Sequence, residues 1–322
     1  MEIRKIQLTD GPGLEKFLEK SGTHFHQIDP LFRYHGVESD IVAEILRYAG
    51  EVWVALELGK IIGLLTAKKR DWDTKHFGYS VASIDHFYTK DQQIAESLLT
   101  EFSNWANQEK IAFSSIKTFF KSEITAALEK SGFYFVEEDS YLSKKLPDEK
   151  LATIEGEFPA GFKLRDFEPS DLDELLRIVQ ATEWSNRFHN DSKIDKTKAN
   201  EVYTNWVKNG VAKQNTRVTI LEGNGKIAGF ILWSISKMGL AASAKATAAE
   251  VGDQEMVAMA PEFRGQGLGK FLYGGCVKQM QEAGCVLVWT VVASQNLAAI
   301  KNLEKLGFTA PYKVSAYHWF RK

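Results

Sequence analysis

The chain has 322 residues, 40 of them basic and 42 acidic, a length that suits two domains of ordinary size, each able to bury a core. The near-neutral balance removes the electrostatic case for a nucleic-acid or membrane-surface partner and leaves a small molecule as the expected partner, with one or two copies of the chain as the expected assembly. Cys276 and Cys285 make neither a metal pattern nor a disulfide framework, and the opening MEIRKIQLTDG lacks the apolar run of a signal peptide, so no metal and a cytoplasmic location are expected.

Taken in chain order, EIRKIQLTDGPGLEKFL reads as strand, cap and helix. VWVALEL with Gly59-Lys60-Ile61-Ile62-Gly63 reads as a hairpin. Asp71 to Tyr79 is dense in aromatic and polar groups, which suits either a substrate lip or a packed loop. Leu128-Glu129-Lys130-Ser131-Gly132-Phe133 ends a helix on glycine and leads into an aromatic strand. Residues 147–160 are charged and aperiodic, and read as a linker.

The same plan then repeats. FKLRDFEPSDLDELLRIV opens as strand, cap and helix, with Ser170 or Asp171 capping and Leu172, Leu175, Leu176 and Val179 at helical spacing. SKIDKTKANEVYTNWVKNGVA reads as an extra amphipathic helix, RVTILEG with Gly225-Lys226-Ile227-Ala228-Gly229 as a second hairpin, and MGLAASAKATAAE as a mobile loop. Leu303-Glu304-Lys305-Leu306-Gly307-Phe308 echoes the block at 128. This order predicts an α/β fold of two tandem domains, 1–146 and 161–322, each a mixed, mostly antiparallel sheet flanked by helices.

The most informative segment joins the apolar strand Val257-Ala258-Met259 through Ala260-Pro261-Glu262-Phe263 to Arg264-Gly265-Gln266-Gly267-Leu268-Gly269-Lys270. Strand, glycine-rich turn and helix together make an anion seat, because glycines admit a ligand close to the backbone and the helix start presents unpaired N–H groups. A pyrophosphate fits there. Further on, CVLVWTVVA reads as a buried strand, and Asn296 as the cap of the helix after it.

The first of these segments resembles the acetyl-CoA motif of the GNAT superfamily, an Arg or Gln followed by x-x-Gly-x-Gly or Ala, matched by Arg264, Gly267 and Gly269. Ser294 to Phe308 resembles the superfamily's Asn-x-x-Ala-x-x-x-Tyr-x-x-x-Gly-Phe block. The resemblance implies acetyl-CoA as co-substrate, contacts from Val257, Ala258, Met259, the 264–270 turn and Asn296, and acetyl transfer to a primary amine of a small acceptor. Family members commonly protonate the leaving thiolate with a tyrosine where this chain has Leu303, so Tyr317 near the C-terminus becomes the candidate, with Tyr273, Tyr312 and His318 behind it. Glu250, Asp253 and Glu255, on or before the strand leading to the turn, are the candidate bases.

The first half has Lys90-Asp91-Gln92-Gln93-Ile94-Ala95-Glu96-Ser97-Leu98 where the glycine turn belongs, and is read as a degenerate copy that supports the acceptor site. Trp72-Asp73, His76-Phe77-Gly78 and Ala316-Tyr317-His318-Trp319-Phe320 are similar to segments of bacterial acetyltransferases of nucleotide-linked amino sugars. The tandem plan is also similar to mycothiol synthase, whose acceptor is a cysteinyl sugar. The Leu303 departure favours a third reading, a CoA-binding sensor without turnover.

Overall fold

The computed structural model describes residues 1–21, 37–89, 91–119, 122–148, 158–240 and 247–321. The chain divides into two compact units, Met1–Glu138 with Gly239–Thr247 and Lys313–Lys322, and Asp139–Met238 with Ala248–Tyr312.

The first unit contains β1 (Glu2–Lys5), α1 (Gly11–Ser21), α2 (Val37–Leu46), β2 (Glu51–Glu57), β3 (Lys60–Lys69), α3 (Asp71–Phe77), β4 (Val81–Thr89), α4 (Gln92–Gln108), β5 (Phe113–Phe119) and α5 (Ser122–Lys130). The chain then enters β6 (Tyr134–Lys145), which belongs to the second unit from Asp139 onward. There follow β7 (Phe162–Asp166), α6 (Leu172–Gln180), α7 (Lys196–Val211), β8 (Thr216–Gly223), β9 (Lys226–Leu240), β10 (Thr247–Met259), α8 (Gly269–Glu282), β11 (Cys285–Ala293), α9 (Leu297–Lys305) and β12 (Thr309–Phe320).

The strand orders are β1-β2-β3-β4-β5-β12 in the first unit and β7-β8-β9-β10-β11-β6 in the second. Both are mixed. In each, β4 with β5 and β10 with β11 form a parallel pair, and the ladders β1–β2, β2–β3, β3–β4 and β5–β12 of the first and β7–β8, β8–β9 and β6–β11 of the second are antiparallel. The duplicated plan is therefore present in topology, but the linear boundary expected between 146 and 161 is corrected. Each sheet takes its sixth strand from the other half of the sequence: Val314 to Phe320 of β12 pairs with β5, and Asp139 to Lys145 of β6 pairs with β11. The exchange holds because each strand carries apolar residues that its host needs. Tyr317 and Trp319 lie in the first unit's core, and Leu142, with Leu146 just past the end of β6, in the second's.

Both hairpins form at the expected places, on two-residue turns in which both residues have positive φ, Leu58-Gly59 and Asn224-Gly225. This is the turn whose twist matches that of paired strands. Asp195 caps the extra helix, accepting from the Lys198 N–H. Asp171 acts one turn before α6, accepting from Glu168 N–H and from the Arg165 guanidinium, which holds its carboxyl below the usual range. The loop expected over 238–250 is shorter than read, because the β9 and β10 strands extend to Leu240 and from Thr247 despite their small residues; residues 241–246, and 149–157 of the expected linker, lie outside the described residues.

Truncation after Tyr312 should remove β5's antiparallel partner together with buried Tyr317 and Trp319. Loss of such aromatics costs about 3–5 kcal/mol each, against a typical domain stability of about 5–15 kcal/mol. Calorimetry should then show the first unit's transition missing; a trace matching the full chain would refute the exchange as a stabilising feature.

Candidate active site

The second unit's sheet is covered on its two sides by different cores. Leu221, Ile231, Trp233, Val288 and Leu142 pack with α8 and Leu303 of α9, and Val218, Ile220, Phe230 and Leu232 pack with α6 and α7. Alternation along β10 follows this division only as far as Gln254. Gly252 lies against Met280 of α8, and the buried Gln254 side chain lies beside Cys276 there. Met256 and Ala258 belong instead to the α6/α7 core, and Glu255 also faces that way, its carboxylate accepting from Trp206 Nε1 of α7 at 3.1 Å. The phase therefore slips at Glu255, as at a β-bulge.

Pairing with β11 ends at the same place. The parallel register runs from Glu250↔Cys285 to Gln254↔Thr290 and stops, although β10 continues to Met259 and β11 to Ala293. The two strands part, leaving a wedge with unpaired edges. Val257 and Met259 send side chains to the α8 core and Ala258 to the other, while their backbone borders the wedge.

Beyond β10, Pro261–Phe263 form one 3₁₀ turn, and then Gly265 and Gly267 both take φ of +73° with no atom within 4 Å of where a Cβ would stand. Arg264 braces this turn: Nε donates to Met259 O at 3.0 Å, and Nη2 to Thr182 Oγ1 at 3.0 Å and Ala181 O just after α6. Gln266 donates to Glu262 O, Leu268 is buried, and Lys270 Nζ lies over the Phe271 ring. The start of α8, like those of α3 and α6, has no side-chain cap, and it alone of the three follows two positive-φ glycines. Asp91, Asp195 and Asn296 cap α4, α7 and α9 with their own side chains, whereas Leu268 stands at the cap of α8 and supplies no side-chain acceptor. An uncapped helix start behind open, positive-φ glycines is a seat for an external anion.

Among the described residues of the first unit, the matching helix start is capped from within the chain. The unit's β4 and β5 also pair in parallel only from Val81↔Phe113 to Ile84↔Ile116, but β4 ends at Thr89 and α4 begins at Gln92 with the Asp91 carboxylate on the Ile94 N–H. The chain's own acid occupies an N-terminal N–H group of this helix. Lys90 lies outside the described residues.

Among the candidate bases, Glu250 stands at the closed end of the β10/β11 pair, with Lys237 Nζ 3.7 Å from its carboxylate. Asp253 and Glu255 stand at the open end. Burial, with the Glu255 charge second, raises the Asp253 pKa to about 7, so this carboxyl can exchange a proton near neutrality. Around it, on the side opposite Leu142, the Tyr141 ring of β6 stacks between Trp289 and Tyr312, centroids 6.1 and 5.1 Å away. Burial, then the charges of Asp139 and Asp253, push the Tyr141 hydroxyl up to about 12, while Arg187 opposes them.

Three expected candidates are corrected here. Tyr317 is a 3% exposed core residue of the first unit, paired with Ile116 of β5 and packed against Phe135, so it is no candidate for chemistry in the second. His318 lies in the same strand and is fully buried against Phe113, and Tyr273 is buried inside the α8 core. Leu303 is likewise 0% exposed in that core. Leu303→Tyr should therefore overpack the core and lower stability by about 1–3 kcal/mol rather than add a donor; a variant with unchanged melting temperature and raised acetyl transfer would contradict this. Tyr141, Trp289, Trp206 and Arg187 were not identified from the sequence: Trp289 sat within a run read as a buried strand, Trp206 within an amphipathic helix, and Tyr141 in the other half of the chain.

Residues 178–308 match the model of the acetyltransferase (GNAT) family. These residues are similar to a GNAT acetyltransferase domain. A region of 160 residues is 22% identical to the spore coat polysaccharide biosynthesis protein SpsD of Bacillus subtilis, covering 50% of this chain and 51% of that protein; the chain spans about half the length of that curated relative. Among solved structures, a GCN5-related N-acetyltransferase from Sphaerobacter thermophilus is similar at a TM-score of 0.63 and 13% identity, over 99% of this chain and 95% of that one. A tandem GNAT protein from the clavulanic acid biosynthesis pathway is similar at a TM-score of 0.54 and 16% identity, over 99% and 98%. Both share the GNAT fold with this chain. Among the described residues, no helix is long and apolar enough to cross a membrane.

Proposed function

We propose that the chain transfers the acetyl group of acetyl-CoA to a primary amine of a small acceptor, with a nucleotide-linked amino sugar as the acceptor class. The observation that carries the reading is the uncapped start of α8 directly behind Gly265 and Gly267, both at positive φ with open space where a Cβ would stand. The diphosphate of CoA takes that seat, and its arm follows the wedge toward the point where β10 and β11 part. There the backbone of Val257 to Met259 offers N–H groups to the thioester oxygen, which gains negative charge as the amine adds. Asn296 stays at the α9 cap beside this path.

The acceptor approaches from the α7 side. Asp253 and Glu255 attract a protonated amine, and Asp253 in its ionised form removes a proton from the attacking nitrogen. Trp206, Trp289 and Tyr141 supply apolar ring surface beside these acids, which suits a sugar ring with an amino substituent. The similarity to a spore coat polysaccharide biosynthesis protein of Bacillus subtilis supports a carbohydrate acceptor. The buried Leu303 favours a second reading, a CoA-binding sensor without turnover.

Thiol release from acetyl-CoA, screened over nucleotide-linked amino sugars, free amino sugars, cysteinyl sugars, aminoglycosides, polyamines and peptide N-termini, separates these. Turnover fastest with a nucleotide-linked amino sugar is expected. Turnover only with another amine class overturns the acceptor, and saturable CoA binding with no turnover on any amine overturns the enzyme in favour of the sensor.

A further inference from the structure

A thiolate leaving group must receive a proton, and neither Leu303 nor Tyr317 can supply one to this site. Leu303 has no proton to give, and Tyr317 is enclosed in the first unit's core. A donor must reach the mouth of the wedge on the side where the amine arrives. The last β10/β11 pair is Gln254↔Thr290, so the mouth lies at Glu255 and Val291. The β6 residue opposite Val291 is Tyr141. Its neighbour Leu142 points into the α8 core, so Tyr141 projects from the other side, where its stacking on Trp289 also holds it. Trp289 is in turn the register partner of Asp253.

We propose that Tyr141, delivered by the strand exchanged from the N-terminal half, is the catalytic proton donor to the departing CoA thiolate. The assignment rests on the acetyl-transfer reading above. The amine, attracted as its ammonium form, first releases one proton to solvent; its nitrogen then forms its bond to the acetyl carbon and passes a second proton to the Asp253 carboxylate. The carbon–sulfur bond then breaks, and the Tyr141 hydroxyl gives its proton to sulfur. Asp253, now carrying the nitrogen's proton, returns it to the Tyr141 oxygen, so both side chains end as they began and the products are amide and free thiol. Burial and the charges of Asp139 and Asp253 keep the phenol protonated through the neutral range, and the same charges make its reprotonation by Asp253 favourable. The ring's place between Trp289 and Tyr312 limits its rotation, which is the pre-organisation that proton transfer in a transition state requires.

The role is local to this strand and needs no tyrosine on α9. It also gives β6 a use beyond closing the sheet: the strand brings Tyr141 and Asp139 beside a site whose remaining groups come from the other half of the chain.

The test compares two acetyl donors in full-length wild type and Tyr141→Phe, a change that keeps the ring stack and removes only the hydroxyl. With acetyl-CoA, kcat should fall about 10²- to 10³-fold, within the usual contribution of a positioned acid, while the Kd for acetyl-CoA and the melting temperature stay at wild-type values. With S-acetyl 4-nitrothiophenol, whose thiolate leaves without a proton, the two proteins should react alike. Tyr312→Phe, on the neighbouring ring, should leave the donor dependence unchanged. A defect of equal size with both donors, or full activity of Tyr141→Phe on acetyl-CoA, overturns the assignment while leaving acetyl transfer intact. Absence of turnover by the wild type on every amine overturns the underlying reading as well, so the two failures differ in what the wild type does.

Discussion

Gly267→Leu is expected to weaken acetyl-CoA binding by one to two orders of magnitude while the protein remains folded. The wild-type position has φ +73° and open space where a Cβ would stand, so the new Cβ meets no protein atom within 4 Å. Hydrogen bonds from backbone N–H groups to a charged oxygen are worth about 1.5–3 kcal/mol each, and about 1.4 kcal/mol is tenfold in affinity; displacing the diphosphate from one such bond gives the expected loss. A left-handed leucine also strains the turn by about 1–2 kcal/mol. Gly267→Asn separates the two effects, because asparagine visits this backbone region readily and carries a side chain of similar reach. Titration calorimetry should find both variants weakened, with the asparagine form melting close to wild type. An asparagine variant that binds like wild type would mean that the ligand lies elsewhere.

The same turn shows how far a linear reading carries. Arg264 to Lys270 was legible because its glycines, its helix start and its preceding apolar strand are consecutive, and the chemistry of an anion seat is local. The hairpins at 59 and 225 were legible for the same reason, since two-residue turns depend on adjacent residues. The Asn296 cap, accepting from Ala299 N–H, is equally local. What escaped was set by long-range pairing. Nothing near Tyr141 distinguishes it from other strand aromatics until β6 is placed against β11, and nothing near Tyr317 says that its strand completes the other sheet. The face assignment of Asp253 and Glu255 had a subtler reason. Regular alternation puts them on one side, which holds, but the slip at Glu255 also turns Met256 to that side, and only the register with β11 exposes it. The Asp171 signal was right in place and different in kind: its carboxylate secures the turn before α6 through Arg165 and Glu168 rather than capping the helix itself.

Asp253→Asn is expected to lower kcat/KM by about 10²- to 10⁴-fold, the usual contribution of a positioned base, and at the same time to stabilise the fold above neutral pH. The two effects come from one cause. Burial and the Glu255 charge raise the Asp253 pKa from 3.8 to about 7, so the folded chain favours the protonated acid more than the unfolded chain does. The sign follows: any stabilisation from this group is complete below about pH 4, is lost as pH rises through about 7, and above that the ionised carboxylate is a cost on the order of 2–4 kcal/mol. Asparagine removes that cost. Wild-type kcat/KM should rise with pH along a limb centred near 7, as the base ionises, and the limb should be missing from the asparagine variant. The charged and titratable groups that bear on this carboxyl are Glu255 on its own strand and Tyr141 on β6, with Asp139 and Arg187 acting on Tyr141. Glu255→Gln removes the like charge, so its limb should move to lower pH, by less than the full displacement because burial is the larger cause. A melting temperature measured at pH 8 separates this from damage: loss of activity with a raised melting temperature supports a functional carboxylate held at the expense of stability. An asparagine variant that keeps wild-type kcat/KM and its pH limb would remove Asp253 from the chemistry and leave Glu255 as the acid to test.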